Sequence, residues 1–157
     1  MPEPTDLTDA RDADLTIGPM SIWAKGRLFP DVENGWDEAF IRTYTLVSRP
    51  HAWVEIGDHN GLLSMSVAAF VRGLEGLDTT LVGKAELTED WLQLTMQGDG
   101  LGHCTVALEI YPGEISELHR FGFDIDQTQV RRVLHQARRI LEAYPVPNYR
   151  AEPRRPY

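Results

Sequence analysis

The sequence predicts an α+β fold, a mainly antiparallel sheet of about six to seven strands with two helices packed on one of its faces. Three observations carry this expectation. Short runs of apolar and polar residues alternate with a period of two and are bounded by turn residues. Two segments show helical spacing instead. Their order, three strands, a helix, four strands and a second helix, suits antiparallel pairing rather than the strand-helix alternation of a parallel sheet. A length of 157 residues with 42% apolar and 25% charged residues fits one globular domain with an adequate core.

Residues 1–14 hold two prolines, five acids and little apolar periodicity, and read as an acidic, disordered tail. Leu15 to Leu28 is rich in Ile, Trp and Thr, and its second half alternates Met20, Ile22 and Ala24 with Ser21, Trp23 and Lys25. It reads as a strand ended by Phe29-Pro30-Asp31. Glu38 to Ser48 has the β-branched and aromatic content of a second strand, joined to the first by a turn with Asn34-Gly35. His51 to Ile56 forms a third.

A polar stretch from Gly57 to Gly61 leads into a well-buried helix, Ser64 to Leu74, with Gly73 and Gly76 as places for it to unwind. Four strands follow, at Val82–Leu87, Trp91–Gln97, His103–Ile110 and Leu118–Ile125. In the last helix, Gln127 to about Ala143, apolar residues recur at Val130, Val133, Leu134, Ala137, Ile140 and Leu141. Asp126 and Gln129 have the spacing of a capping box, and Pro145 stops the helix. The domain thus covers residues 15–145, and residues 146–157 read as a strap or tail rich in proline and arginine.

Charge and cysteine content narrow the function. Residues 15–125 carry 16 acids against 7 bases, net −9, whereas residues 126–157 carry 7 arginines against 3 acids, net +4. An acidic body repels phosphate backbones, so no nucleic-acid partner is expected, and a basic protein is the partner it attracts. No apolar run exceeds Val67–Val71, which predicts no membrane span. The acidic N-terminus is unlike a secretory signal, and the lone Cys104 suits a reducing compartment, so a cytoplasmic location is expected.

Catalytic patterns are weak. Gly98-Asp99-Gly100-Leu101-Gly102-His103 has glycines like a phosphate loop, but its third glycine comes one residue early and a strand follows, so it reads as a hairpin turn. No histidine pair has the helical spacing of a metal site, and Cys104 falls on the apolar phase of its strand as an inert thiol. No catalytic residue, metal or cofactor is expected. The acids Asp31, Glu33, Asp37 and Glu38 sit in or beside a turn from which side chains reach outward. Trp23, Trp53 and Trp91 each occupy the strand phase opposite the cleaner apolar set, which suggests a shared face either covered by other elements or open to a partner.

The order of motifs resembles the WapI-like family of bacterial immunity proteins, which are paired with polymorphic toxins. The resemblance rests on Phe29-Pro30-Asp31 followed by Trp36-Asp37, on the helix with Phe70, and on Leu92-x-Leu-x-Met running into Gly98-Asp99-Gly-x-Gly102-His103. Its most specific part is Phe121-Gly-Phe-Asp-Ile-Asp126-Gln127-Thr128 followed by Ile140-Leu141-x-x-Tyr144-Pro145. It implies a non-enzymatic protein that binds and neutralises a cognate toxin. The acid balance suggests a basic nuclease, with Asp31, Glu33, Asp37, Glu38, Trp23, Trp53 and Trp91 as candidate contacts. The alternative is a small-molecule module or accessory enzyme that uses the sheet face as a pocket.

Overall fold

The computed structural model describes residues 12–30, 38–57, 60–113 and 116–147. Its strands are β1 (Leu15–Ile17), β2 (Met20–Arg27), β3 (Phe40–Arg49), β4 (Ala52–Ile56), β5 (Gly61–Leu63), β6 (Val82–Glu89), β7 (Leu92–Asp99), β8 (His103–Ile110) and β9 (His119–Asp126). Helix α1 spans Ser64–Thr80 and α2 spans Gln127–Ala143. The class is α+β, as the alternation predicts.

The strands form two antiparallel sheets rather than one. The first has the order β1-β2-β3-β4 with β5 paired to β3, and the second is the meander β6-β7-β8-β9. Alternation specifies which face of a strand is buried but not which strand lies beside it. The stretch Leu15 to Leu28 divides at Gly18-Pro19 into two strands that pair with each other. Gly61, the last residue of the polar stretch, opens β5 with Leu62 and Leu63, where Phe40 opposes Leu63 and Arg42 opposes Gly61. At the tail boundary Asp14 already belongs to the sheet: its N–H donates to the Ile22 carbonyl, and its carboxylate accepts from Ala24 N–H at 2.7 Å. Residues 1–11 and 148–157 lie outside the described residues.

Both sheets turn their apolar faces into one core. Leu15, Ile17, Met20, Ile22, Ile41 and Val47 meet Leu92, Leu94, Met96, Val106 and Leu108, with Phe70 and Leu74 of α1 and Val133 and Leu134 of α2 in the same cluster. The helices therefore pack on each other and on both sheets, not on one face of a single sheet. Helix α1 continues through Gly73 and Gly76 to a left-handed C-cap at Leu81. Gly73 lies within the helix, and crowding accounts for the glycine: a Cβ there would lie 2.7 Å from Ala85 Cα, so the missing side chain lets α1 approach β6.

Helix α2 begins with the reciprocal pair its sequence implies. The Asp126 carboxylate accepts from Gln129 N–H at 2.8 Å, and the Gln129 side chain accepts from Asp126 N–H at 2.9 Å. Asp126→Ala is expected to lower stability by roughly 0.5 to 2 kcal/mol in urea unfolding, with partner affinity per folded molecule unchanged. Unchanged stability with lost binding would make Asp126 a contact residue instead.

The glycine-rich segment is the β7–β8 turn. Asp99 accepts from Leu101 N–H at 2.7 Å and from His103 N–H at 3.1 Å, and these bonds, the first above all, hold its carboxyl below the usual range. Beside it Cys104 is buried, and burial pushes its thiol up to about 11, where it stays protonated and unreactive.

Candidate functional site

The outer face of the first sheet, opposite the core, is built by period-two alternation. In the β2–β3 register Trp23 opposes Tyr44 and Ser21 opposes Leu46; in the β3–β4 register Leu46 opposes Glu55 and Ser48 opposes Trp53. Residues opposed across a ladder share a face, so Trp23, Tyr44, Leu46 and Trp53 all project to the same side. Trp23 and Tyr44 pack at 5.7 Å between ring centroids with a 48° tilt. Tyr44 is buried, Trp23 half-buried, and Trp53 45% exposed. Two of the three tryptophans thus share a face, and Trp53 is its accessible aromatic.

Trp91 does not join them. It is 6% exposed, and its indole N–H donates to the Gly61 carbonyl at 2.9 Å. It occupies the two-residue turn between Glu89 and Leu92, so strand alternation does not govern where its ring points. The ring instead folds inward against β5 and joins the core.

Among the acids, Glu38 immediately precedes β3 and is partly exposed, whereas Asp31, Glu33 and Asp37 lie outside the described residues. Glu38 and Trp53 stand at opposite ends of the first sheet, since Phe40 and Ser48 are separated by about 26 Å along β3. A second exposed aromatic, Phe29 at 41%, accompanies the acid end and packs edge-on against Phe40 at 6.1 Å. In the sequence Phe29 reads as part of a strand end and of the family motif, not as a surface residue.

Three side chains that no motif announces hold these parts in place. Arg27 donates to the carbonyls of Glu38 and Pro145 and lies 5.5 Å over the Tyr144 ring, tying β2, the start of β3 and the end of α2 together. Arg49 donates to the Gly122 carbonyl at 3.2 Å and lies 5.7 Å over Phe123, joining the β3–β4 turn to β9. Glu89 accepts from Leu63 N–H at 2.8 Å at the start of α1, which has no side-chain cap of its own. A signal for such long-range pairs would require sequence neighbours to report on spatial ones, and Thr88-Glu89-Asp90 reads simply as a solvated turn.

Burial raises the Glu89 carboxyl above its ordinary value, against the lowering effect of the bonds from Leu63 and Ser66, and Asp90 adds to the rise. The folded state thus favours the neutral acid. Its stabilising contribution is fully present below the ordinary value of 4.5 and is lost as pH rises through the folded one. Glu89→Gln, which keeps the acceptor for Leu63, is expected to gain stability relative to wild type as pH goes from 4 to 7. Urea unfolding at the two pH values checks the sign; a difference independent of pH would contradict it.

Among the described residues no group of three or more His, Cys, Asp or Glu could hold a metal ion, and no helix is long and apolar enough to cross a membrane. Comparison with known proteins gives one family match. A model described as the immunity protein WapI-like family matches residues 14–145. No curated protein matches the chain. Two solved structures are similar in part. Crystal structures of Trypanosoma brucei MRP1/MRP2 align with a TM-score of 0.40 and 13% identity over 68% of this chain and 71% of that one. A guide-RNA-binding protein complex bound to its RNA aligns with a TM-score of 0.44 and 12% identity over 79% of this chain and 90% of that one.

Proposed function

The chain belongs to the WapI-like immunity protein family, and from that premise we propose that it binds a cognate toxin domain and neutralises it by occluding its active site or substrate groove, without catalysis of its own. The observation that carries the surface assignment is Trp53, 45% exposed on the outer face it shares with Trp23. Large aromatics accessible in this way supply the anchors of protein interfaces. Phe29 and Glu38 extend the surface to the far end of the sheet, and Asp31, Glu33 and Asp37 belong to the same turn in sequence.

The acid balance supports a basic toxin. A net charge of −9 accelerates encounter with a cation-rich partner, and proteins that act on nucleic acids are commonly basic because their substrates are polyanions. A nuclease-like toxin is the reading this favours. In it, Asp31, Glu33, Asp37 and Glu38 stand in for backbone phosphates.

Association rates with the protein encoded by the neighbouring reading frame test the proposal. For wild type the rate is expected to fall markedly from low to physiological salt, and lysine at all four acidic positions is expected to slow association more than it speeds dissociation. A flat salt response in both proteins removes electrostatic mimicry and the preference for a nuclease. Failure of the two proteins to form a complex removes the toxin-binding reading altogether.

A further inference from the structure

Backbone N–H and C=O groups along the edge of a sheet must find partners or face water, and proteins usually guard such edges. In this fold each edge other than that of β4 is met at some point by a helix or a side chain. Helix α2 lies along β1, where Thr16 N–H donates to the Gln136 side chain at 2.9 Å. Helix α1 presses on β6 at Gly73, and Arg49 takes the Gly122 carbonyl of β9. On the remaining edge, β5 is closed by the Trp91 indole on Gly61 and by Glu89 on Leu63.

Strand β4, which continues the line of β5, differs. The Pro50-His51 turn is closed by the Arg49–Ala52 pair, and hydrogen-bonded pairs alternate from there along an antiparallel ladder. Ala52, Val54 and Ile56 therefore bond to β3, whereas the N–H and C=O of Trp53 point away from it. No described residue hydrogen-bonds either group, and β4 contains no Lys, Arg or Pro to guard its edge, its one charged side chain being Glu55. The exposed indole stands on this same residue.

We propose that β4 is the site where the cognate toxin adds a strand: an extended, basic segment exchanges backbone hydrogen bonds with Trp53 and lays a side chain against its indole. This rests on the toxin-binding reading above and specifies its mode. Open backbone donors and acceptors in an extended strand select another extended backbone, whose alternate side chains meet pockets or rings beside the edge. Charge selects the source. A second copy of this chain would bring two bodies of net charge −9 together, whereas a basic segment is attracted.

Amide hydrogen exchange resolved by NMR, on the full chain with and without the protein encoded by the neighbouring reading frame as the candidate toxin, tests the mode. In the free protein Trp53 N–H is expected to exchange fast while Val54 N–H is protected; toxin is expected to slow Trp53 by about tenfold or more. Proline at an outward-facing edge position leaves the ladder intact, so Trp53→Pro is expected to fold and to lose about tenfold more affinity than Trp53→Ala, the effect of one missing donor. A complex that forms with Trp53 exchange unchanged overturns strand addition while leaving toxin binding standing. No complex overturns both. Protection of Trp53 that appears without toxin as protein concentration rises assigns the edge to a second copy and overturns the toxin as its occupant.

Discussion

Three tryptophan-to-alanine substitutions are expected to give three different results. Trp53→Ala removes an exposed ring and should cost about 2 kcal/mol or more in toxin affinity with little change in stability. Trp91→Ala removes a buried ring and its bond to Gly61, and should cost about 3 to 5 kcal/mol in stability while leaving the affinity of folded molecules unchanged. Trp23, packed on Tyr44 but half-buried, falls between and should lower both. Calorimetric titration against the toxin together with urea unfolding separates the two effects. Undiminished affinity in Trp53→Ala would remove the outer face of the first sheet from the interface.

Alanine at two glycines of one helix should act with opposite signs. Gly76→Ala meets nothing within 4 Å and replaces a poor helix former in the body of α1, so it is expected to add about 0.5 to 1 kcal/mol of stability. Gly73→Ala gains the same propensity but drives a methyl to 2.7 Å from Ala85 Cα and 2.9 Å from the Lys84 carbonyl, both backbone atoms that cannot rotate away. The helix must then shift off β6, an overpacking expected to cost about 1 to 3 kcal/mol. Thermal unfolding of the two variants decides the matter, and a stabilised Gly73→Ala would show that α1 has more freedom against the second sheet than the close approach implies.

These glycines show where sequence reading stops. Helix α2 was legible because its apolar stripe and its cap are both local patterns, and each of the four strands β6 to β9 lies where alternation places it, with a shift of one or two residues at some ends. Gly73 read as a terminator because propensity is local, whereas the reason for the glycine is Ala85 in the next element. The division into two sheets depends on which edges pair, and no strand's own pattern contains that information. For the candidate surface, strand phase placed Trp23 and Trp53 on one face because both lie within ladders. It misplaced Trp91 because a turn residue has no phase. Arg27, Arg49 and Glu89 act on partners at sequence distances from 11 to 118 residues, beyond any motif.

The hydrogen bond from Thr16 to Gln136 spans 120 residues, so the chain closes on itself across nearly the whole domain. Until α2 is made, β1 has no cover and the shared core lacks Val133, Leu134 and Ile140. A chain emerging from the ribosome at roughly 5 to 20 residues per second therefore spends on the order of ten seconds with its first sheet formed at most in part. Protection against a toxin begins only when synthesis has passed the last helix, and a product truncated before α2 has no finished core behind its surface.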